Sequence, residues 1–308
     1  MNSDKINKIL ENSEHNGIEI YVVLNNNGKK IIKMLNANVE LRDALQKRLE
    51  DNLKSKYLDK EVEYKQLNEY LRNEDSYCVI DKKAYDGLDF ICDLENVNES
   101  YLSDDGNIQG FVFKYGTFSN YLIGYEHFYP INLIKKDSKG TIMIVMDIIG
   151  EKPQFKLYNN DLIKINAKIE VLILGDEIIT DNLKLLENKF GFQDYIEKEA
   201  KIVAKEINDM NIIDGFDKFN ECMQELNFKK GLTKIKNSPV LALRNNTLIE
   251  RISKVEYYKN RLKIENDKIK VTSKKDAKIV VKLLGDDILQ SPITESIYDS
   301  SAKIKLEV

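Results

Sequence analysis

Histidine and cysteine are scarce in this chain of 308 residues, and their scarcity excludes several kinds of chemistry. His15 and His127 are the only histidines, so a site with several histidine ligands is excluded, and a histidine-based triad must use one of these two. Cys78, Cys92 and Cys222 are odd in number, far apart and free of any Cys-x-x-Cys pair. This pattern argues against a disulfide framework and a zinc site, and favours buried or incidental thiols in a reducing compartment.

Long apolar runs are also absent. The longest candidates, such as TIMIVMDIIG, have the length of a strand and contain a charge, which excludes a membrane span. The amino-terminal stretch MNSDKINKILENSE lacks the order of basic, apolar and small residues that marks a signal peptide. We therefore expect a cytoplasmic protein, which a partner could recruit to the inner face of a membrane.

Sequence motifs for cofactor and substrate chemistry are missing as well. The chain contains no Walker A, GxGxxG, GxSxG or HExxH pattern, and we predict no cofactor, no metal and no catalytic residue. Glu-x-Lys, which a restriction-type nuclease places on a strand, occurs at Glu63, Glu187 and Glu199. The first and third matches fall in predicted helices and the second runs into FGF at a helix end, so the motif gives little support to a nuclease. A metal-dependent nuclease is kept as an alternative.

The predicted fold class is α+β, and the length suits two domains. Residues 1–154 are predicted to form an amino-terminal mixed α/β half with a β-rich region. They contain a hairpin over residues 18–34 about an Asn/Gly turn, helices over residues 39–53 and 62–73, and a β-rich region from GLDFICDLE to TIMIVMDII. Residues 155–308 are predicted to contain strands, helices and a basic β-hairpin, with a final strand over residues 303–308.

Helical periodicity is clearest in the second half. Residues 196, 200, 203 and 207 are apolar and lie on one face of a predicted helix. Thr247-x-x-Glu250 resembles a capping box and predicts a second helix with Leu248, Ile252 and Val255 inward. On the flank of that helix, residues 251, 254 and 258 form one line at spacings of three and seven.

Positive charge is concentrated in one segment, although the chain has a net charge of -4. From Lys229 to Lys282 there are 16 basic and five acidic residues, a net charge of +11, which leaves -15 for the remaining 254 residues. A solvated face that keeps the protein soluble, or a patch that meets an acidic protein surface, are the structural alternatives. A polyanion-binding surface is the functional one, since each neutralised phosphate releases a counterion.

The centre of this segment, LKIENDKIKV, predicts a hairpin with the two-residue turn Asn266-Asp267. In that register one face is apolar and Lys263 faces Lys270 on the other. Such a like-charge pair costs stability and becomes useful when an anion lies over it. Ser273-x-x-Asp276 then predicts the capped start of another helix.

The carboxy-terminal half resembles the KwaB-like family of the Kiwa anti-phage defence system. The resemblance covers roughly residues 155–308 and includes the basic segment. It also includes a tail with a pattern like LLxDxxLxSxxTxxxY, here Leu283, Leu284, Asp286, Leu289, Ser291, Thr294 and Tyr298. The resemblance supplies no catalytic residues, and we expect Ser291 and Thr294 to cap a short helix and Tyr298 to pack.

The resemblance implies a cytoplasmic partner of a small multi-spanning membrane protein, KwaA. It implies a protein that binds phage DNA, impedes replication or transcription, and forms a homo-oligomer, either a dimer or a tetramer.

Together, charge and resemblance lead to the hypothesis of a non-enzymatic DNA-binding effector of phage defence. The alternatives are an interaction or scaffold protein of a membrane-associated complex and the nuclease. The residues predicted to bind the nucleic-acid backbone are Arg251, Lys254, Tyr258, Lys259, Arg261, Lys263, Lys268, Lys270, Lys274 and Lys275. Tyr257 and Tyr258 are expected to add stacking on exposed bases.

Overall fold

The computed structural model describes most of the chain. The described residues are 2–12, 16–59, 61–67, 69–70, 76–94, 97, 99–100, 108–134, 144–149, 152–157, 162–236, 238–291, 293–294 and 296–299. His15, Pro292 and the final strand predicted over residues 303–308 lie outside them.

Helices and strands are both abundant, which confirms the α+β class. The helices are α1 (Asn2–Glu11), α2 (Val39–Tyr57), α3 (Leu183–Lys189), α4 (Phe192–Asp209), α5 (Phe216–Glu221), α6 (Leu226–Ile235), α7 (Asn245–Lys254), α8 (Glu256–Lys259) and α9 (Lys274–Leu284). The strands up to residue 134 are β1 (Gly17–Asn26), β2 (Lys29–Leu35), β3 (Glu63–Gln66), β4 (Ser76–Asp81), β5 (Glu99–Ser100), β6 (Ile108–Gly116), β7 (Tyr121–His127) and β8 (Leu133–Ile134). The later strands are β9 (Ile144–Ile149), β10 (Lys152–Leu157), β11 (Leu162–Ile163), β12 (Val171–Leu174), β13 (Glu177–Thr180), β14 (Ile213–Asp214), β15 (Lys263–Glu265), β16 (Lys268–Lys270), β17 (Ile288–Gln290) and β18 (Ile297–Asp299).

The chain groups into two compact units that are not contiguous in sequence. The first unit contains Met1–Val62 and Leu88–Asn182, and the second contains Glu63–Gly87 and Leu183–Val308. The domain boundary expected between residues 154 and 155 stays a prediction.

A sheet with the strand order β13-β12-β7-β6-β1-β2-β5 forms the centre of the first unit. Its neighbouring strands are antiparallel, except that β5 runs parallel to β2. The Asn27-Gly28 turn joins β1 to β2, and both residues have positive φ, as a type I′ hairpin turn requires. This confirms the predicted first hairpin. Helix α2 packs on β1 through Leu45, Leu49 and Leu53, all of which are buried.

Helices α4, α5, α6 and α9 enclose the core of the second unit. The predicted face of α4 is buried at Ile196, Ala200, Val203 and Ile207, which confirms the helical periodicity. Strands β14, β16 and β15 form a small sheet in which β14 is parallel to β16. The same unit contains the parallel pair β3–β4 and the hairpin β17–β18.

Two local predictions in the first 100 residues are wrong. The helix predicted over residues 62–73 is a strand at Glu63–Gln66, because Tyr64 lies beside Tyr77 of β4, with the two rings stacked at 6.1 Å. The segment GLDFICDLE contains a 3₁₀ helix at Asp89–Ile91 in place of a strand. Its buried residues Leu88, Ile91 and Leu94 recur every three positions, which is the period of a 3₁₀ turn.

The tail also differs from its prediction. In place of a capped helix, the described residues form a turn between β17 and β18, in which the Ser291 hydroxyl accepts hydrogen bonds from the amides of Ile293 and Thr294. Tyr298, expected to pack, is 54% exposed, because β17 and β18 form a two-stranded hairpin with no further strand paired to it among the described residues. Among the described helices, none combines the length and apolarity needed to cross a bilayer.

Candidate nucleic-acid interface

Four elements of the second unit position the predicted basic residues. Helix α7 is held to the core by Leu248, Ile249 and Ile252, and α8 follows it directly. The β15–β16 hairpin is held by Ile269 and by Val271 beside it, both buried. Helix α9 begins with the predicted capping box, in which Ser273 and Asp276 exchange side-chain and backbone hydrogen bonds. We call the nine cations predicted on or beside these elements, all of them exposed or half-exposed, the basic surface, namely Arg251, Lys254, Lys259, Arg261, Lys263, Lys268, Lys270, Lys274 and Lys275.

The hairpin has the predicted register. Lys263 pairs with Lys270, Ile264 with Ile269, and Glu265 with Lys268. The turn residues Asn266 and Asp267 have φ values of 52° and 58°, the left-handed pair of a type I′ turn.

Glu265 neutralises the lysine pair from within the hairpin. Its carboxylate lies 2.5 Å from the Lys263 Nζ and 2.7 Å from the Lys270 Nζ. Hydrogen bonds from the two lysines lower the pKa of Glu265 to about 2. The like-charge cost inferred from the sequence is therefore offset by the protein's own carboxylate, and the pair does not require an external anion.

Two further lysines of the basic surface also have acidic partners. The Lys254 Nζ lies 2.5 Å from the Oε1 of Glu250, which is one helical turn earlier. The Lys274 Nζ lies 3.4 Å from the Oε1 of Glu225. Lys278, which was not among the predicted residues, contacts the same Glu225 at 2.7 Å and lowers its pKa. Lys268 donates a hydrogen bond to the Asn211 side chain at 2.8 Å.

Tyr258 does not lie on the basic surface. Helix α7 ends at Lys254, and the change in direction at Val255 turns Tyr258 into the core, where it is 7% exposed. The predicted line through residues 251, 254 and 258 is broken for this reason. Val255, predicted to point inward, is instead exposed at the helix end. The proposed cap at Thr247 is also wrong, because α7 already begins at Asn245 and Thr247 lies inside it.

Four cations of the basic surface remain available to a ligand. The exposed residues Arg251, Lys259, Arg261 and Lys275 form no ion pair with a carboxylate within the part of the chain that the structure describes, although Arg251, after Lys254, helps to lower the pKa of the nearby Glu250. We call these four the unpaired basic residues. The Arg261 guanidinium lies 4.1 Å from the centre of the half-buried Tyr257 ring and donates a hydrogen bond to the Tyr257 carbonyl. Tyr257 thus holds the guanidinium by a cation–π contact, and α7 packs against α8 beside it.

Carboxylates elsewhere do not assemble into a metal site within the described residues. Glu63 and Lys65 do lie on a strand, contrary to the predicted helix, and they form an ion pair at 2.5 Å. Their partners on β4 are Ser76 and Cys78, neither of which supplies a second carboxylate. The other two Glu-x-Lys matches lie in helices α3 and α4.

His127 is a buried residue of the first unit. Its Nδ1 lies 3.2 Å from the Tyr125 hydroxyl, which donates a hydrogen bond to the Gln109 carbonyl. The amide of His127 donates to Glu170 at 2.7 Å. These contacts give the backbone amide and one ring nitrogen of His127 polar partners within the first unit.

Much of this chain is similar to one known family. A family model described as Kiwa protein KwaB-like matches residues 105–294. The chain belongs to the KwaB-like family. The matched residues include the basic segment and four strands of the first-unit sheet, β6, β7, β12 and β13.

A curated relative supports this membership. Kiwa protein KwaB of Escherichia coli O55:H7 (strain RM12579 / EPEC) is 31% identical over 178 residues, which is 56% of this chain and 56% of the relative. The match to this KwaB-like relative thus spans about half of its length. No solved structure matches the chain.

Proposed function

We propose that this KwaB-like chain acts in anti-phage defence as a non-enzymatic protein that binds the DNA backbone through its unpaired basic residues. The observation that carries the proposal is that Arg251, Lys259, Arg261 and Lys275 are exposed and form no ion pair in the described part of the chain. These cations lie in a segment with a net charge of +11. Family membership and the name of the curated relative support a role in the Kiwa system.

Electrostatics explain why these four cations suit a phosphate backbone. A lysine already bonded to a carboxylate must break that pair before it contacts a phosphate, whereas an unpaired cation releases condensed counterions at no such cost. Arg261 adds a guanidinium whose orientation is fixed by Tyr257, and a fixed planar fork suits phosphate oxygens. Backbone contacts carry no base information, so binding depends little on sequence and impedes replication or transcription wherever the protein accumulates.

A second candidate is an interaction protein of a membrane-associated complex. It is favoured by the β17–β18 hairpin, which exposes Leu289, Ile293, Ile297 and Tyr298. In this alternative the basic surface meets an acidic protein surface, and the apolar hairpin contacts a KwaA-like membrane protein or another copy in a dimer or tetramer. Recruitment by that partner would bring a cytoplasmic protein to the inner face of the membrane.

Charge reversal at the unpaired residues tests the first proposal. We expect the variant with Arg251→Glu, Lys259→Glu and Arg261→Glu to bind a labelled duplex at least about tenfold more weakly than the parent. Its plot of log affinity against log salt should be flatter by about 0.9 for each phosphate that the variant no longer neutralises. The measurement is fluorescence anisotropy over a salt series, with duplex and single-stranded DNA, with and without magnesium.

The matched control reverses three exposed lysines of the first unit, Lys8→Glu, Lys29→Glu and Lys54→Glu. It changes the net charge by the same amount, so any loss of affinity that it shares with the first variant reports net charge alone. Equal affinity in the parent and the first variant contradicts the proposal. Magnesium-dependent shortening of the duplex would favour the nuclease, and co-purification with a membrane partner in the absence of DNA binding would favour the interaction protein.

A further inference from the structure

A polar groove runs along helix α2 in the first unit, and none of its lining residues was predicted from the sequence to bind a ligand. It has a volume of about 620 Å³ and is lined by Ala44, Lys47, Arg48, Asp51, Asn52, Ser55 and Asn166. Six of these residues lie on one side of α2, and Ala44 and Ser55 are separated by about 16 Å at 1.5 Å per residue. The volume falls in the range of roughly 300–1,000 Å³ that is typical of small-molecule sites.

The two asparagines of the groove have fixed orientations. The Asn52 Oδ1 accepts the backbone amide of Ile169 at 2.9 Å, so its Nδ2 remains as a donor. The Asn166 Nδ2 donates to Glu126 at 3.0 Å, so its Oδ1 remains as an acceptor. Neither remaining atom has a hydrogen-bond partner among the described residues. The groove therefore presents one amide donor and one amide acceptor whose assignment follows from the bonds made at their other ends.

The support behind these asparagines is buried. Glu126 is 4% exposed and accepts hydrogen bonds from both the backbone amide and the side chain of Asn166. Burial raises the pKa of Glu126. Lys56 of α2 donates to the Ile169 carbonyl at 2.7 Å and forms an ion pair with Asp181 at 3.1 Å. The segment that contains Asn166 is thus fixed against α2, and the groove is preformed.

The groove also contains three charged side chains, Lys47, Arg48 and Asp51, and each of them suits a particular part of a ligand. Lys47 and Arg48 are exposed and have no ion pair within the described part of the chain, and both suit a phosphate. Asp51 is the one acidic side chain of the lining, and a carboxylate at this position suits the hydroxyl groups of a ribose. A donor and an acceptor held at fixed positions suit the edge of a nucleobase.

We propose that this groove binds a free nucleoside monophosphate, with the phosphate at Lys47 and Arg48 and the base at Asn52 and Asn166. The proposal does not rest on DNA binding by the second unit, since none of its residues belongs to the basic surface. The chain would then have a second ligand of a different class, a small molecule that the first unit binds through charged side chains and amide hydrogen bonds.

Titration calorimetry on the full chain tests the proposal with the 5′-monophosphates of adenosine, guanosine, cytidine and uridine, each to 1 mM. We expect at least one of them to bind, and the variant with Lys47→Ala and Arg48→Ala to bind it at least about tenfold more weakly. Ribose 5-phosphate and inorganic phosphate should bind at least about tenfold more weakly than that nucleotide, because neither has a base for the two asparagines.

The control is the variant with Arg42→Ala and Lys54→Ala, which removes the same charge from the exposed surface of α2 outside the groove. It should bind the nucleotide as the parent does. The absence of heat from all four nucleotides, equal binding of inorganic phosphate, or an equal loss of affinity in the control overturns the proposal. A short single strand of DNA that displaces the nucleotide from the parent and the control, and not from the Lys47→Ala and Arg48→Ala variant, would support the groove as the site. Displacement that persists in that variant would place binding elsewhere and overturn the proposal.

Discussion

The Lys270 Nζ lies 2.7 Å from the Glu265 Oε2 within the β15–β16 hairpin, in which Lys263 faces Lys270. Lys263 contacts the other oxygen of the same carboxylate. The hairpin therefore carries two positive charges and one negative charge at its centre, and the carboxylate competes with any external anion for the two lysines. Mutation of Glu265 therefore tests whether the two hairpin lysines can bind an external anion.

Removal of the Glu265 charge should strengthen DNA binding. The variant Glu265→Gln releases both lysines, so we expect a several-fold higher affinity for duplex DNA and a salt dependence steeper by about 0.9 for each additional phosphate that is neutralised. Anisotropy over a salt series measures both. The control Glu256→Gln makes the same change of charge at an exposed glutamate with no lysine partner in the described part of the chain. Equal increases in affinity in the two variants would contradict a specific role of the hairpin lysines.

The Glu265 carboxyl should titrate far below an ordinary glutamate. Because Lys263 and Lys270 lower its pKa to about 2, its contribution to stability is complete above the pKa of the unfolded chain, about 4.3. That contribution is lost as the pH falls from there through about 2. Carbon-detected NMR titration of the carboxyl should show this midpoint. In the Lys263→Ala and Lys270→Ala variant the midpoint should rise, and an unchanged midpoint would contradict the assigned cause.

Two helix starts that look alike in sequence should respond differently to mutation. Ser273→Ala removes a hydroxyl that caps α9, and we expect it to lower the free energy of unfolding by about 1 kcal/mol. Thr247→Ala should change it by less than about 0.5 kcal/mol, because Thr247 lies inside α7 and caps nothing. Urea denaturation of both variants measures the difference, and equal decreases would contradict the assigned start of α7.

The hairpin should depend on its buried face for stability. Ile269 is fully buried, and Ile269→Ala should lower the free energy of unfolding by about 2–5 kcal/mol through reduced burial and a residual cavity. Leu289→Ala removes a similar volume at an exposed position and should cost less than about 0.5 kcal/mol. Thermal and urea unfolding check the pair. A small effect of Ile269→Ala would mean that the hairpin is not part of the cooperative core.

The sequence predicted the regular and local features of the fold. The alternation in the hairpin, the period of α4 and the Ser273 cap depend on neighbours within a few residues, and all three were correct. The strand at Glu63–Gln66 was missed because its stability depends on β4, which begins ten residues later. Long-range pairing of this kind leaves no periodic signal in four residues.

The candidate site was predicted in part for a similar reason. The Lys254–Glu250 pair has the spacing of one helical turn, and Glu265 lies on the same hairpin face as Lys263, so both partners were visible in the sequence. The contact of Lys274 with Glu225 joins residues 49 positions apart and was not. The groove on α2 was missed because Asn166 is brought there by Glu126, a buried carboxylate 40 residues away.

Residues 63–87 belong to the second unit, although the residues on both sides of them belong to the first. This arrangement affects the point in synthesis at which each unit can be complete. A ribosome releases these residues before β6, β7, β12 and β13 exist, and well before α4, α6 and α9 exist. The second unit therefore cannot be complete until α9 has been synthesised, because it combines residues 63–87 with residues from 183 onward. A chain truncated before residue 183 keeps every strand of the first-unit sheet and lacks helices α3 to α9 of the second unit.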